Sequence, residues 1–158
     1  MNKALSLAVA ATLSCASLNS EAQTMIGKTT DVAAIANGDR MNAETLWAMG
    51  RIGGAAASPD GKTVVYQVGY YSVKQNKSHQ MLYTVSADGK KQHSLTTTAA
   101  SETDATWIDG GKRIAFLTGG QLWSMNADGT DRRQLTKSEI DIEGYIFSPD
   151  EKKVILIK

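Results

Sequence analysis

The second half of this chain repeats itself. Gln80-Met81-Leu82-Tyr83-Thr84-Val85-Ser86-Ala87-Asp88-Gly89 returns as Gly120-Gln121-Leu122-Trp123-Ser124-Met125-Asn126-Ala127-Asp128-Gly129. Leu82 and Leu122, Asp88 and Asp128, and Leu95 and Leu135 each stand 40 positions apart. The stretch from Trp107 to Phe116 is echoed at the same offset by Phe147 to Leu156. Each unit holds two turn signals with short apolar runs between them. In Ser58-Pro59-Asp60-Gly61, Pro59 sets φ, Asp60 can bond to nearby backbone and Gly61 accepts a positive φ. Ala87-Asp88-Gly89 and Ala127-Asp128-Gly129 supply the Asp-Gly hairpin signal. A fixed period of this length, built from short strands, marks a four-stranded blade and hence a β-propeller.

The runs after each turn are apolar without alternation: Val64-Val65-Tyr66-Gln67-Val68, Ile114-Ala115-Phe116-Leu117 and Val154-Ile155-Leu156-Ile157. Strands of that kind are covered on both faces, as stacked blades would cover them. Trp107 and Phe147 are expected to wedge between blades, and Trp123 to take the place of Tyr83. The first unit is longer, because Val64 and Ile114 are 50 positions apart. Its extra residues fall around Tyr70 to His79, read as a lengthened, solvated hairpin tip or an interaction loop. In the third unit Glu151 replaces the turn glycine, and a left-handed Glu151 costs on the order of 1 kcal/mol.

The expected architecture is all-β: an incomplete β-propeller of two four-stranded blades and the start of a third. Blade one covers residues 53–98, blade two 104–136, and the opening of blade three 143–158. A short helix is expected over 41–52, with Asn42 as N-cap and Gly50 ending it in the left-handed conformation. Leu46, Met49 and Trp47 would give that helix an apolar stripe. Breaking off at Lys158 leaves an unfinished ring, since closure takes about four blades or more. Open blade edges invite pairing with other strands.

The N-terminus reads as an export signal over residues 1–22. Asn2 and Lys3 precede an apolar stretch from Ala4 to Leu13, and Ser20-Glu21-Ala22 gives a small-x-small cleavage pattern before Gln23. The expected location is periplasmic or secreted, with no membrane-spanning segment in the mature chain. A second reading takes Thr12-Leu13-Ser14-Cys15 as a lipoprotein site with Cys15 as the lipidated residue. Residues 23–40 form a polar, Ala-rich flexible leader.

Composition excludes several functions. Seventeen basic and sixteen acidic side chains give a formal charge of +1, without the basic surplus of a nucleic-acid binder. The cation pairs Lys90-Lys91, Lys112-Arg113, Arg132-Arg133 and Lys152-Lys153 fall just after turns and read as solvated strand starts. Cys15 is the one cysteine, and a zinc set cannot be assembled from two separated histidines, His79 and His93. Asn126-Ala127-Asp128-Gly129-Thr130-Asp131 lacks the ligand order of a calcium loop and reads as a hairpin turn. No Gly-x-Ser-x-Gly elbow, phosphate loop or dinucleotide glycine pattern occurs. No catalytic, metal or cofactor residue is assigned, and no cofactor is expected.

Met41-Asn42-Ala43-Glu44-Thr45-Leu46-Trp47-Ala48-Met49-Gly50-Arg51-Ile52-Gly53, followed by Ala57-Ser58-Pro59-Asp60-Gly61-Lys62-Thr63-Val64-Val65-Tyr66, resembles the start of secreted bacterial prolyl-oligopeptidase-family serine peptidases. The resemblance is to the dipeptidyl-peptidase and acylaminoacyl-peptidase branch, and it covers about Met41 to Lys158. Asn42-Ala43 stands where Thr-Pro is more usual, which keeps a capping residue. In that family a propeller of about seven or eight blades caps an α/β-hydrolase domain carrying a Ser-Asp-His triad. The resemblance implies an N-terminal propeller segment that gates peptide substrates, with the hydrolase domain joined in cis beyond Lys158. It also implies that the helix packs near that domain, and that the present segment is inactive alone. The competing reading is a TolB-type periplasmic propeller, a binding module without catalysis. A third is a small protein whose open blades another chain completes.

Overall fold

The computed structural model describes residues 41–73 and 75–158. The export signal, Cys15 and the leader lie outside the described residues. One α-helix, a 3-10 turn at Asp109–Gly111 and ten strands are described: α1 (Ala43–Ala48), β1 (Arg51–Ala57), β2 (Thr63–Ser72), β3 (Lys77–Ser86), β4 (Gln92–Ser94), β5 (Thr103–Ile108), β6 (Arg113–Thr118), β7 (Gln121–Asn126), β8 (Arg133–Gln134), β9 (Gly144–Phe147) and β10 (Val154–Ile157). They make two four-stranded antiparallel meanders, β1-β2-β3-β4 and β5-β6-β7-β8, and the pair β9-β10.

The repeat is a repeat of register. Tyr66 faces Tyr83 across β2 and β3 just as Phe116 faces Trp123 across β6 and β7. The first strand of each meander carries an irregularity at the same place, between Ile52 and Ala55 and between Thr103 and Thr106. Backbone bonds recur too. Glu102 N–H donates to Gln80 O and Ile142 N–H to Gly120 O, each at 3.0 Å, as the chain leaves one sheet for the next.

The ten extra residues of the first unit are not a loop. β2 and β3 pair without a break from Thr63↔Ser86 to Ser72↔Lys77, whereas β6 and β7 turn at Gly119-Gly120 after Thr118↔Gln121. Tyr70, Tyr71 and Val68 favour extended backbone, so the insertion lengthens the hairpin rather than bulging out of it. His79 is fully buried in this extension, contrary to the polar, solvated setting expected for it.

Asn42 caps α1: its side chain accepts from the Thr45 N–H at 2.7 Å and the Thr45 hydroxyl at 2.8 Å. The helix does not end through a left-handed Gly50. Met49 is already extended (φ −71°, ψ 132°), and β1 begins two residues later. Gly50 has a different reason to be glycine, because a Cβ there would lie 2.8 Å from Val68 Cγ1. Trp47 meets Tyr71 edge-on at 5.7 Å between ring centroids, so α1 rests against the extended hairpin.

Both faces of the second sheet are covered, because alternate residues of β6 point to opposite sides. Ile114 and Phe116 join Val65, Leu82, Leu95 and Met125 in the junction with the first sheet. Ala115 and Leu117 join Leu122, Ile142 and Tyr145 in the junction with β9-β10. Trp107 and Phe147 pack at these two junctions, one in each. Burying a side chain such as Leu82 or Phe116 stabilises by about 1.5–3 kcal/mol, so the junctions hold the stack together.

Beyond the second junction the apolar supply continues without a cover. Ile146, Ile155 and Ile157 lie on the far face of β9-β10 and are 60, 66 and 50 % exposed.

Candidate functional site

The places where side-chain chemistry concentrates are the two sheet-to-sheet junctions and the turns beneath them. At the first junction Glu102, 1 % exposed, takes a hydrogen bond from the Thr96 hydroxyl at 2.8 Å and an ion pair from Arg132. The Arg132 guanidinium lies 4.9 Å from the Phe116 ring centroid and also donates to Leu95 O at 3.3 Å. Burial pushes the Glu102 carboxyl up from its ordinary range, against the opposing pull of Thr96 and Arg132. Arg132 therefore is not a solvated strand start. It crosses from the second sheet to the segment that leaves the first. One sequence signal marks it in retrospect: Glu102 stands 40 positions before Ile142, so an acid occupies an apolar register position.

At the second junction Ile142 takes the corresponding place, 4 % exposed, and the polar link is a tyrosine. The Tyr145 hydroxyl lies 2.5 Å from Asp104 O and 2.9 Å from Ala115 O. Burial raises its ionisation far above the ordinary phenol range, so Tyr145 stays a neutral hydrogen-bonding group. Asp104, at φ 55°, turns its carbonyl toward it within the β5 irregularity.

The turns touch in sequence. In Ser58-Pro59-Asp60-Gly61, the Ser58 hydroxyl donates to Asp60 at 2.6 Å, and Asp60 accepts from the Lys62 N–H at 3.1 Å. The same bonds hold Asp88 and Asp150 through Ser86 and Ser148. Those side-chain hydrogen bonds hold Asp60, Asp88 and Asp150 below the usual carboxylate range. Gly111, at φ 89°, abuts Pro59: a Cβ would sit 2.9 Å from Pro59 Cδ. Glu151 is left-handed at φ 55°, as its place in the turn requires. Its carboxylate accepts the Asp109 N–H at 2.6 Å, which offsets the strain by tying the third turn to the second. Between the first two turns lies an open cleft of about 600 Å³, with Asp60, His93, Trp107, Lys112 and Asp128 among its walls.

The histidines lie apart. His79 is buried with neither ring nitrogen bonded among the described residues, and burial lowers its basicity. His93 is exposed on β4, opposite Thr84, and no hydrogen bond or ion pair to a serine or carboxylate places it in a triad among the described residues. The segment from Asn126 to Asp131 closes a hairpin: Asp128 accepts from the Thr130 N–H and hydroxyl at 2.9 and 2.6 Å. Asp131 is held by Arg113 at 2.8 Å and Arg133 at 2.7 Å. These carboxylates face backbone and arginine, and no group of three or more His, Cys, Asp or Glu able to hold a metal occurs among the described residues. Among them, too, no helix is long and apolar enough to cross a membrane.

No family model matches the chain. It is 42 % identical over 119 residues to dipeptidyl-peptidase 5 of Porphyromonas endodontalis, an alignment covering 73 % of this chain and 17 % of the relative. It is 41 % identical over 125 residues to dipeptidyl-peptidase 5 of Porphyromonas gingivalis, covering 77 % of this chain and 18 % of that protein. The chain thus spans less than a fifth of the length of either relative. Among solved structures it is similar to the acylaminoacyl peptidase of Pyrococcus horikoshii, with a TM-score of 0.58 at 14 % identity over 71 % of this chain and 18 % of the other. The AtxE2 isopeptidase without ligand gives a TM-score of 0.51 at 16 % identity, over 65 % and 19 %. The structural likeness concerns fold, and the sequence likeness is much the stronger. Together they liken this chain to the N-terminal region of prolyl-oligopeptidase-family peptidases, with two dipeptidyl-peptidase 5 proteins among its relatives by sequence.

Proposed function

We propose that this chain is the opening part of a β-propeller in an exported serine peptidase that releases short units from the N-termini of peptides. The observation that carries the reading is the identity above 40 % to dipeptidyl-peptidase 5 across most of the described residues. The two meanders and the β9-β10 pair are two blades and the beginning of a third, stacked through apolar junctions as a propeller requires. Their bounds, 53–98, 104–136 and 143–158, follow the repeat, with 41–52 as the lead-in. Further blades would cover Ile146, Ile155 and Ile157. In the whole protein the ring gates the access of peptides to an α/β-hydrolase domain in cis, and the triad belongs to that domain. This segment binds and restricts; it does not cleave. Nothing in its chemistry calls for a cofactor.

Export rests on the pattern of residues 1–22, with cleavage before Gln23. Sequencing the N-terminus of the protein recovered from the periplasm or medium checks it, and recovery in a lipid-bearing membrane fraction would favour Cys15 as the anchor.

The enzymatic reading is tested on the reading frame that contains the Lys158 codon. An in-frame Gly-x-Ser-x-Gly motif is expected, and the corresponding full protein should release dipeptides from chromogenic substrates in a manner abolished by a serine-directed inhibitor. The 158-residue chain assayed alone should show no turnover. Inhibitor-sensitive turnover by that chain, or a frame that continues only in blade repeats, overturns the proposal.

A further inference from the structure

We propose that Asp109-Gly110, in the turn between β5 and β6, is a site of spontaneous isoaspartate formation, singled out among the Asp-Gly steps by its hydrogen bonding. The chain has four such steps: Asp60-Gly61, Asp88-Gly89, Asp109-Gly110 and Asp128-Gly129. In each, the glycine nitrogen can attack the side-chain carboxyl carbon of the aspartate, since glycine has no side chain to shield it. An N–C bond forms and a carboxyl C–O bond breaks. The oxygen leaves as water, taking the amide proton and one proton from solvent. Water then opens the five-membered imide at either carbonyl, giving aspartate or isoaspartate, and no oxidant or other reactant is consumed.

Three of the four steps have both reacting groups held by bonds inside their own turns. Gly61 N–H donates to Ser58 O at 2.8 Å, Gly89 N–H to Ser86 O at 2.8 Å, and Gly129 N–H to Asn126 O at 2.9 Å. The Ser58 hydroxyl and Lys62 N–H hold Asp60 at 2.6 and 3.1 Å, and the Ser86 hydroxyl and Lys90 N–H hold Asp88 at 2.5 and 3.1 Å. Thr130 holds Asp128 through its N–H and hydroxyl at 2.9 and 2.6 Å. These bonds keep the three carboxyls below their usual range, in the ionised form whose oxygen is the poorer leaving group.

The fourth turn is made differently. Its backbone bond runs from Lys112 N–H to Asp109 O at 3.2 Å, so the Gly110 N–H is not the donor. Within two positions of Asp109 stand Trp107, Ile108, Gly110 and Gly111, with no hydroxyl to hold the carboxylate. A Cβ at Gly110 would meet nothing within 4 Å, so no neighbour crowds the ring as it closes. All four aspartates are exposed; water reaches each of them, and hydrogen bonding makes the difference. The contrast lies within single turns and does not depend on the peptidase reading. The event adds a carbon to the main chain at the turn whose Gly111 abuts Pro59 and whose Asp109 N–H donates to Glu151. All three neighbouring turns therefore share the disturbance.

The purified protein is incubated at neutral pH and body temperature, and its proteolytic peptides are read at intervals for isoaspartate by chromatography and fragment-ion mass spectrometry. Reading single peptides keeps Asn37-Gly38, which reaches the same product by losing ammonia, apart from the four sites. Isoaspartate should accumulate at Asp109 roughly tenfold faster than at Asp60, Asp88 or Asp128, the effect on a rate of one or two net hydrogen bonds. In concentrated guanidinium chloride the turns are lost and the four rates should converge. Ser86→Ala frees one oxygen of Asp88 and should speed the reaction there by about fivefold. Because the four sites are compared within one unaltered chain, an ill-folded variant leaves the test intact. Equal rates at the four sites in the folded protein overturn the proposal, as does an excess at Asp109 that persists undiminished in denaturant. An unchanged rate at Asp88 in well-folded Ser86→Ala overturns it equally.

Discussion

The two sheet-to-sheet junctions have one backbone plan and different chemistry. At the first, Glu102 and Arg132 bring opposite charges into an apolar wall. At the second, Ile142 fills the matching place and the Tyr145 hydroxyl links the sheets through the carbonyls of Asp104 and Ala115. A hydrocarbon in that place needs only to be covered, whereas a carboxylate needs a partner in the right position. The first junction is therefore the more exacting in geometry, and the second the more tolerant. The repeat constrains the fold without dictating how each contact is made.

The largest disruption comes from the shared apolar layer. Phe116→Ala should cost about 3–5 kcal/mol, because Phe116 is fully buried and also carries Arg132 on its ring. Urea unfolding followed by tryptophan fluorescence measures it, and a loss under about 1 kcal/mol would mean the first two sheets are not joined as described.

Breaking the charge pair is next. Arg132→Gln leaves Glu102 buried without its counter-ion and should cost roughly 2–4 kcal/mol, somewhat below a fully buried pair because Arg132 keeps part of its guanidinium in water. Replacing both residues, Glu102→Ile with Arg132→Gln, turns the first junction into a likeness of the second and should regain most of that loss. A double variant no more stable than the single one would show that the junctions are not interchangeable.

At the second junction, Tyr145→Phe should cost about 1–2 kcal/mol, chiefly through the buried carbonyl of Ala115 that loses its partner. Glu151→Gly trades the release of a left-handed side chain against the loss of the Asp109 bond, and should lie within about 1 kcal/mol of neutral. A clear stabilisation by glycine would mean the bond to Asp109 contributes nothing.

Acidity separates the first junction from the β2-β3 extension by sign. Glu102 titrates above its ordinary value in the folded chain, so its preference for the folded state is complete below about 4.5 and fades as the pH rises through its elevated value. His79 behaves oppositely in form: burial lowers its basicity, so the unfolded chain takes up the proton first and stability falls as the pH drops below about 6.5. Melting temperatures across pH 4–8 for Glu102→Gln and His79→Phe check both. Each variant should flatten the slope in its own window, and an unchanged slope removes the corresponding assignment.

Much of this was legible in the amino-acid order. The apolar runs at Val64, Ile114 and Val154, and the Asp-Gly and Pro-Asp turns between them, name the strands and their order. They do so because period and turn chemistry are local properties. Left-handed Glu151 follows from alignment with Gly61. What escaped was non-local. Tyr70 to His79 lengthen the hairpin, as one of the two readings had it, but the burial of His79 there depends on neighbouring segments and leaves no local signal. Arg132 looks like its lysine counterparts until the folded chain brings Glu102 beneath it. Gly50 reads as a helix stop, yet its absent side chain makes room for Val68. The contact of Arg51 with Trp47 and Tyr71 joins a helix and two strands, so it has no signature in any one of them.

The matching irregularities in β1 and β5 have a bearing on how safely such a chain can be synthesised. Each sits on an edge strand that ladders with a described strand on one side only. Unevenly spaced amides offer a stray extended peptide only an interrupted template. Newly made molecules crowded together are thereby discouraged from zippering into fibrils along that margin.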